Sequence, residues 1–132
     1  VYAFRADSVL HGPAFREIDA GSRAADPFLF CPHVAASFLR LVTNPRIFLE
    51  PSSSAEAWQF VDALESRASA IRVDVDAMAW GVFKHVCLVS RSVGNHVPDA
   101  LLAALAIRHD AILVTADRGF ERFEGLSCRF IA

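Results

Sequence analysis

The sequence predicts an α/β fold, because short strand-like segments alternate with longer helical segments along the chain. Apolar residues recur at a helical spacing in four segments, and short apolar or alternating runs stand among them. Strands that are separated by helices pair in parallel, and the helices cover both faces of the sheet. Since 132 residues suffice to bury a core, we expect one domain, residues 1–132, with a mostly parallel central sheet.

The first half of the chain contains two of the predicted strands and two of the predicted helices. "PFLFC" (27–31) is a short apolar run typical of a strand. "HVAASFLRLVT" follows with helical spacing and is ended by Pro45, and its apolar positions are Val34, Phe38, Leu41 and Val42. The turn-rich segments "GSRAADP" and "EPSSSAE" are predicted to join elements within the domain.

The next helix and strand are predicted from a capping pattern and an alternating pattern. In "SSAEAWQFVDALESR", serines precede Glu56 as in a capped helix. The inner side of this helix is predicted to carry Trp58, Val61 and Leu64. "AIRVDV" (70–75) then alternates apolar and polar residues, which favours a strand.

The second half of the chain continues the alternation. "DAMAWGVFKHVCLVSRS" has a helical period, and "NHVPDALLAALAIRHD" predicts a helix with Pro98 near its first position and Asp99 in its first turn. The latter helix is apolar almost all round, so it should be buried. "AILVT" and the closing "CRFIA" are predicted to be the last two strands.

Composition indicates a protein of the reducing cytoplasm with apolar surface. The hydrophobic fraction is 54%, yet no stretch reaches the roughly 18 uncharged apolar residues of a membrane span, and no export signal opens the chain. Cys31, Cys87 and Cys128 have no metal-site or disulfide spacing and are expected to be buried as small hydrophobic residues. The apolar excess favours pairing with a second copy or a partner.

The charged residues give only a weak indication of a partner. The net charge of −2 does not attract nucleic acid globally. Lys84 is the only lysine among thirteen basic residues. Arginine suits planar contacts with phosphate, but an arginine-rich composition can equally reflect the genome.

Two aspartates are expected at one edge of the sheet. Asp99 begins a buried helix, and Asp117 follows the strand "AILVT". Because a helix runs antiparallel to the next strand, both ends face the same edge, where α/β proteins bind ligands. Two carboxylates there can share Mg²⁺. The alternatives remain open: Asp99 can complement the helix dipole, and Asp117 can start the turn that Gly119 completes.

Four segments resemble one known family. "YAFRADS" (2–8), "SFLRLVTNPRIF" (37–48), "HVPDALLAALAIRHDAILVTADRGFERF" (96–123) and "CRFIA" together are similar to VapC-type toxins of the PIN-domain superfamily, in the right order over essentially the whole chain. The resemblance implies a small α/β/α sandwich. It also implies an endoribonuclease that depends on Mg²⁺ or Mn²⁺, pairs as a homodimer and is held inactive by a cognate antitoxin.

The resemblance also assigns site residues. Asp99 and Asp117 match the third and fourth acidic positions of the family, so they are the candidate metal ligands and catalytic residues. The metal would polarise the scissile phosphate and activate a water for in-line attack. Thr115 is a candidate supporting residue, although it can equally be an ordinary strand residue. Ser37 stands where the family has a helical glutamate, which implies weaker metal binding.

A further departure from the family lies at the start of the chain. Members begin with a strand in the pattern "D-x-N-x-L-V-Y-A-F", whereas this sequence starts at Val1-Tyr2. We therefore expect an amino-terminally truncated domain that lacks its first strand and the first carboxylate, and that is inactive as given.

Basic and histidine side chains are secondary candidates. Arg40 and Arg46 resemble positions near the RNA groove and can equally form surface ion pairs. Arg118 and Arg122 follow the strand end, where they could hold phosphate. His96 precedes Asp99 and could contact the substrate phosphate, although such a histidine is more often a cap or surface residue. Asp7 is expected to be a helix N-cap.

Two other classes of protein compete with the nuclease. One is a PIN-like module that has lost its metal and binds RNA or protein. The other is a phosphoacceptor domain similar to response regulators, which is disfavoured because Lys84 lies in a mid-chain helix rather than late in the chain. Covalent catalysis has no visible basis, since the chain carries no G-x-S-x-G elbow.

Overall fold

Helices and short parallel strands alternate along the chain in the computed structural model, which describes residues 1–23 and 25–131. Ala24 of "GSRAADP" and Ala132 of "CRFIA" lie outside the described residues. The chain divides into two compact units, Val1–Asp74 and Val75–Ala132. Within the described ranges, no helix combines the length and apolar character that crossing a membrane requires.

The first unit consists of three helices and one parallel strand pair. Its elements are α1 (His11–Arg23), β1 (Phe28–Phe30), α2 (Pro32–Val42), α3 (Ser54–Glu65) and β2 (Ala70–Arg72). The strands β1 and β2 pair in parallel, with Leu29 opposite Ile71. The core of this unit is formed by side chains from the first strand and from the second and third helices: Phe30, Phe38, Val42, Ala57 and Val61.

The second unit consists of two α-helices, a 3₁₀ helix and one parallel strand pair. Its elements are α4 (Ala77–Ser90), α5 (His96–Arg108), β3 (Ile112–Thr115), a 3₁₀ helix (Arg118–Arg122) and β4 (Ser127–Phe130). The strands β3 and β4 pair in parallel, so both pairs in the chain have the predicted orientation. The core contains side chains of both helices and of the segment after β3: Val86, Ala100, Ala103, Ala104, Phe120 and Phe123.

Helix α5 is buried through its small residues, as predicted. Ala100, Ala103 and Ala104 have no exposed surface, and Leu105 and Ala106 are also buried. Alanine has the highest helix propensity and permits close approach of neighbouring elements. The amino end of α5 is therefore held by packing on α4, although Asn95, its N-cap, makes no side-chain hydrogen bond to the helix.

Several sequence-based predictions need correction. Trp58 is half exposed, and Ala57 takes its predicted place on the inner face of α3, since residue 58 is rotated by about 100° from residue 57. Val61 is buried on that face and Leu64 packs against the core, as predicted. Asp7 does not cap a helix: α1 begins four residues later, and Asp7 pairs with Arg5.

Helix α1 and the extent of β2 also differ from the prediction. The first part of "GSRAADP" is helical rather than a join, because α1 continues to Arg23. The strand in "AIRVDV" is confined to Ala70–Arg72. The three cysteines are free, but each is partly rather than fully buried.

Candidate functional site

Asp117 occupies the predicted position just beyond β3, and two hydrogen bonds fix it there. Its backbone N–H donates to Thr115 Oγ1 at 3.0 Å. Its Oδ1 accepts from the Gly119 backbone N–H at 2.7 Å, so Asp117 caps the 3₁₀ helix and does start a turn. This hydrogen bond engages Oδ1, one of the two oxygens of the carboxylate.

Gly119 lies close to the Asp117 carboxylate. A Cβ atom at this position would lie 2.9 Å from Asp117 Oδ1. Any other residue would therefore force the carboxylate to move. The glycine in "ADRG" thus has a specific role: it holds the orientation of the Asp117 side chain.

Asp99 lies in the first turn of α5 with its side chain about one third exposed. Burial raises the pKa of its carboxyl, and the Asp117 carboxylate raises it further, while His96 and Arg122 act in the opposite direction. A carboxylate placed only to complement a helix dipole would be stabilised in its charged form. The net shift is opposite, which is typical of functional carboxylates held close together.

The structure therefore brings Asp99 and Asp117 within electrostatic range of each other. His96 stands beside them, with its Nδ1 3.9 Å from Asp99 Oδ2. Thr115 contributes through the Asp117 backbone rather than through either carboxylate. All four residues belong to the second unit and lie at the carboxyl end of β3 or the amino end of α5.

Two arginines flank the acid pair, and they are held differently. Arg118 donates to Glu121 at 2.8 Å and stacks over the Phe130 ring at 4.3 Å, so its guanidinium is already engaged. Arg122 donates to the backbone carbonyl of Ser90 at 3.3 Å and acts electrostatically on Asp99. Arg122 is therefore the arginine more directly connected with the acid pair.

The remaining predicted site residues lie in the first unit. Ser37 and Arg40 are exposed on α2, and Arg46 is exposed in the turn that follows it. The turn is shaped by Asn44, whose Oδ1 accepts from the Arg46 backbone N–H at 2.9 Å. The roles of these three residues stay predictions.

The acid pair is suited to a divalent cation that takes few of its ligands from the protein. Carboxylate oxygens are preferred ligands of Mg²⁺, which commonly uses one or two of them together with water and substrate phosphate. Within residues 1–23 and 25–131, no group of three or more His, Cys, Asp or Glu side chains is placed to hold a metal ion. A metal bound at the pair would take oxygen ligands from Asp99 and Asp117 and its remaining ligands from water and substrate.

Sequence reasoning missed the contact between Arg122 and Ser90. The two residues are 32 positions apart and come from different elements, so no local spacing could reveal the hydrogen bond. The contact between Gly119 and the Asp117 carboxylate could be predicted from the sequence. A glycine two residues after an aspartate that ends a strand is typical of a turn held by the aspartate side chain.

Comparison with known proteins supports the assignment of the fold. The PIN domain family model matches residues 1–126. Ribonuclease VapC43 of Mycobacterium tuberculosis is 38% identical over 129 residues, which cover 98% of this chain and 88% of that protein. Ribonuclease VapC25 of the same organism is 36% identical over 121 residues, covering 92% of this chain and 85% of that protein.

A solved structure has the same fold. A chain in the crystal structure of VapBC2 from Rickettsia felis, bound to a DNA fragment from its promoter, superposes with a TM-score of 0.73 at 18% identity. The match covers 99% of this chain and 92% of that chain. The predicted α/β fold and the resemblance are thereby confirmed: the chain belongs to the PIN domain family.

Proposed function

We propose that the chain is a metal-dependent endoribonuclease toxin of the VapC type, formed by a single domain. The observation that carries the proposal is the pair Asp99 and Asp117, two carboxylates that act on each other at the end of β3. The relatives named as VapC ribonucleases support RNA as the substrate. The family match over residues 1–126 supports one domain.

The residues of the site have separable roles in this reaction. Asp99 and Asp117 would hold Mg²⁺ or Mn²⁺, which when bound supplies charge to polarise the scissile phosphate and acidify the attacking water. Thr115 and Gly119 fix the backbone and carboxylate of Asp117 by hydrogen bonds of 3.0 and 2.7 Å. Arg122 binds substrate phosphate beside the pair.

The proposed nuclease is tested by cleavage of RNA with the complete protein and its Asp99→Asn and Asp117→Asn variants. Each should cut RNA slower by on the order of 10²-fold or more in Mg²⁺ or Mn²⁺, because each removes one of the carboxylate ligands. Asp110→Asn is the matched control, since Asp110 is an exposed aspartate outside the site. Undiminished cleavage in either site variant, or in excess chelator, would contradict the proposal. A complete protein that binds RNA and never cuts it would favour the metal-free binding module.

An antitoxin is the proposed regulatory partner. The fold is shared with a chain of a VapBC complex, and an acidic site attracts a basic side chain. We expect a cognate antitoxin to insert an arginine or lysine beside Asp99 and Asp117, compete with the metal and suppress cleavage. An antitoxin that binds tightly while RNA is cut at the same rate would exclude this form of regulation.

We also propose that the protein pairs with a second copy through α4. Met78 and Trp80 expose 64% and 61% of their surface on this helix, and exposed apolar surface of this kind favours association. Trp80→Glu should convert a dimer into a monomer in light scattering at micromolar concentration. Trp58→Glu is the matched control, because Trp58 is a half-exposed tryptophan on α3. A wild-type protein that is monomeric at this concentration would rule out the pairing.

A further inference from the structure

A cavity of the second unit lies between the last turns of α4 and the segment 123–125. Its volume is about 420 Å³, which is within the range of small-molecule sites. Val86 and Phe123 form an apolar floor and are almost completely buried. Val89 forms one wall and is half exposed. The cavity is therefore large enough for a flat apolar group, and its floor is apolar.

Arg122 connects this cavity with the acid pair. Its guanidinium donates to the carbonyl of Ser90, a residue that lines the cavity, at 3.3 Å. The same guanidinium lies 5.8 Å from the ring centre of Phe123 in the cavity floor. Arg122 also acts on the charge of Asp99. A ligand that extended from the cavity to the acid pair would place its anionic group beside the Arg122 guanidinium.

The cavity is also lined by polar side chains. Ser90, His85 and Glu124 all line it, but the Ser90 hydroxyl donates to the Val86 carbonyl at 2.6 Å and lies 2.7 Å from Ser92 Oγ. That hydroxyl is thus not positioned as a nucleophile. Glu124 is left as a hydrogen-bond acceptor at the rim, and His85 as a ring against which a planar group can stack.

We propose that this cavity binds one unpaired guanine of the RNA substrate, an inference that rests on the proposed function. RNA recognition by proteins relies on unstacked bases held by apolar or aromatic surfaces and read along their Watson–Crick edges. Guanine presents two adjacent donors on that edge, its N1–H and its 2-amino group, and an ionised carboxylate only accepts. Glu124 reads these donors, and Arg122 holds the neighbouring phosphate towards Asp99.

The test uses guanosine 5′-monophosphate, GMP, titrated into the ¹⁵N-labelled chain in excess chelator. GMP should shift the amide signals of Val89 and Gly125, and the AMP, CMP and UMP affinities should be lower by about tenfold, as expected when a bidentate contact is lost. Glu124→Gln should reduce GMP affinity by about tenfold. Val89→Phe, which fills the cavity, should abolish the shifts.

Matched variants keep the test specific. Val93→Phe makes the same change at a valine that is 72% exposed and does not line the cavity, so GMP binding should be unchanged. Glu121→Gln changes a carboxylate that pairs with Arg118 instead, and it too should bind GMP normally. Equal affinities for the four nucleotides, or shifts confined to Asp99 and Asp117, would overturn the proposal. So would cavity signals that respond only to an antitoxin.

Failure of the proposed guanine site can be distinguished from failure of the proposed nuclease. If RNA is cut in Mg²⁺ but Glu124→Gln and Val89→Phe bind GMP as the unmodified chain does, the cavity assignment is wrong and the nuclease stands. If GMP binds the cavity with the predicted preference but RNA is not cut, the role of the cavity in cleavage is overturned together with the nuclease.

Discussion

At the scale of single residues, the addition of one methyl group at Gly119 should be enough to lower activity. Gly119→Ala would place a Cβ atom 2.9 Å from Asp117 Oδ1, so the carboxylate must move away. A misplacement of about 1 Å at a reacting centre can reduce the rate by on the order of 10²-fold. We expect a reduction of this order in kcat/KM for RNA cleavage, with weaker binding of Mn²⁺ and a nearly unchanged melting temperature.

Gly81→Ala is the control for this prediction. Gly81 lies in α4, and a Cβ atom there would have no neighbour within 4 Å. Alanine should stabilise the helix by about 1 kcal/mol and leave cleavage unchanged. Equal activities of the two alanine variants would show that the orientation of Asp117 does not depend on Gly119.

At the scale of elements, the end of α4 contains a strained residue. Arg91, the C-cap, has φ 52° and ψ 42°, a left-handed conformation that costs a residue with a side chain about 1–2 kcal/mol. Glycine adopts it without that penalty and is preferred at helix ends. Arg91→Gly should therefore raise the free energy of unfolding by about 1 kcal/mol, as measured by urea denaturation.

Asp110 offers a comparison for the strain at Arg91. Its φ is 50°, but aspartate visits this region more readily than arginine does. Asp110→Gly should therefore stabilise the protein less than Arg91→Gly. A larger gain at Asp110 would mean that left-handed strain is not what limits stability at the end of α4.

The capping box of α3 predicts a stability that depends on pH. Ser53 Oγ accepts from the Glu56 backbone N–H, and the Glu56 carboxylate accepts from the Ser53 backbone N–H and hydroxyl. These hydrogen bonds from Ser53 lower the pKa of Glu56. The stabilisation is therefore present above the usual titration range of glutamate and is lost as pH falls through the lowered pKa.

Substitution of either residue of the box tests this dependence. Ser53→Ala should destabilise the protein by about 1 kcal/mol at neutral pH. Glu56→Ala should also destabilise it at neutral pH, and the difference from the unmodified protein should narrow in acid. Asp62→Ala, an exposed change in the same helix, should show no such narrowing in urea titrations. A difference that does not vary with pH would contradict the role of the carboxylate.

The elements that were predicted well are those with strong local signals. The capping box placed the start of α3 correctly, and the apolar character of α5 correctly indicated its burial. Helix α1 was missed because its sequence "HGPAFREIDAGSR" contains two glycines and a proline, which locally favour loops. Trp58 was misplaced because Ala57, which is fully buried, carries little hydrophobic signal.

The site residues that could be predicted are also those with strong local sequence signals. Asp99 and Asp117 were found because helix starts and strand ends can be read from local patterns. The link from Arg122 to Ser90 and the cavity at the end of α4 depend on how distant segments pack. Tertiary packing of this kind leaves no periodic trace in the sequence.

At the scale of the whole molecule, the acid pair should make the metal-free protein less stable than it would otherwise be. Burial and the neighbouring Asp117 carboxylate both raise the pKa of Asp99, so the folded state favours the protonated form. The stability that the protonated carboxyl contributes is present in acid and is lost as pH rises through the raised pKa. In excess chelator, Asp99→Asn should therefore melt at a higher temperature than the unmodified protein at neutral pH, and the difference should shrink in acid.

Addition of the metal should raise the melting temperature of the unmodified protein above that of Asp99→Asn. A ligand that binds only the folded state stabilises it by about 2.7 kcal/mol when present at about 100 times its Kd. Thermal melts in Mn²⁺ or Mg²⁺ should therefore shift upward for the unmodified protein, much less for Asp99→Asn, and fully for the control Asp110→Asn, whose aspartate is outside the pair. If Asp99→Asn is destabilised in chelator at neutral pH, or gains as much from the metal as the unmodified protein, Asp99 serves the fold rather than a metal. The proposed nuclease would then lose its first ligand.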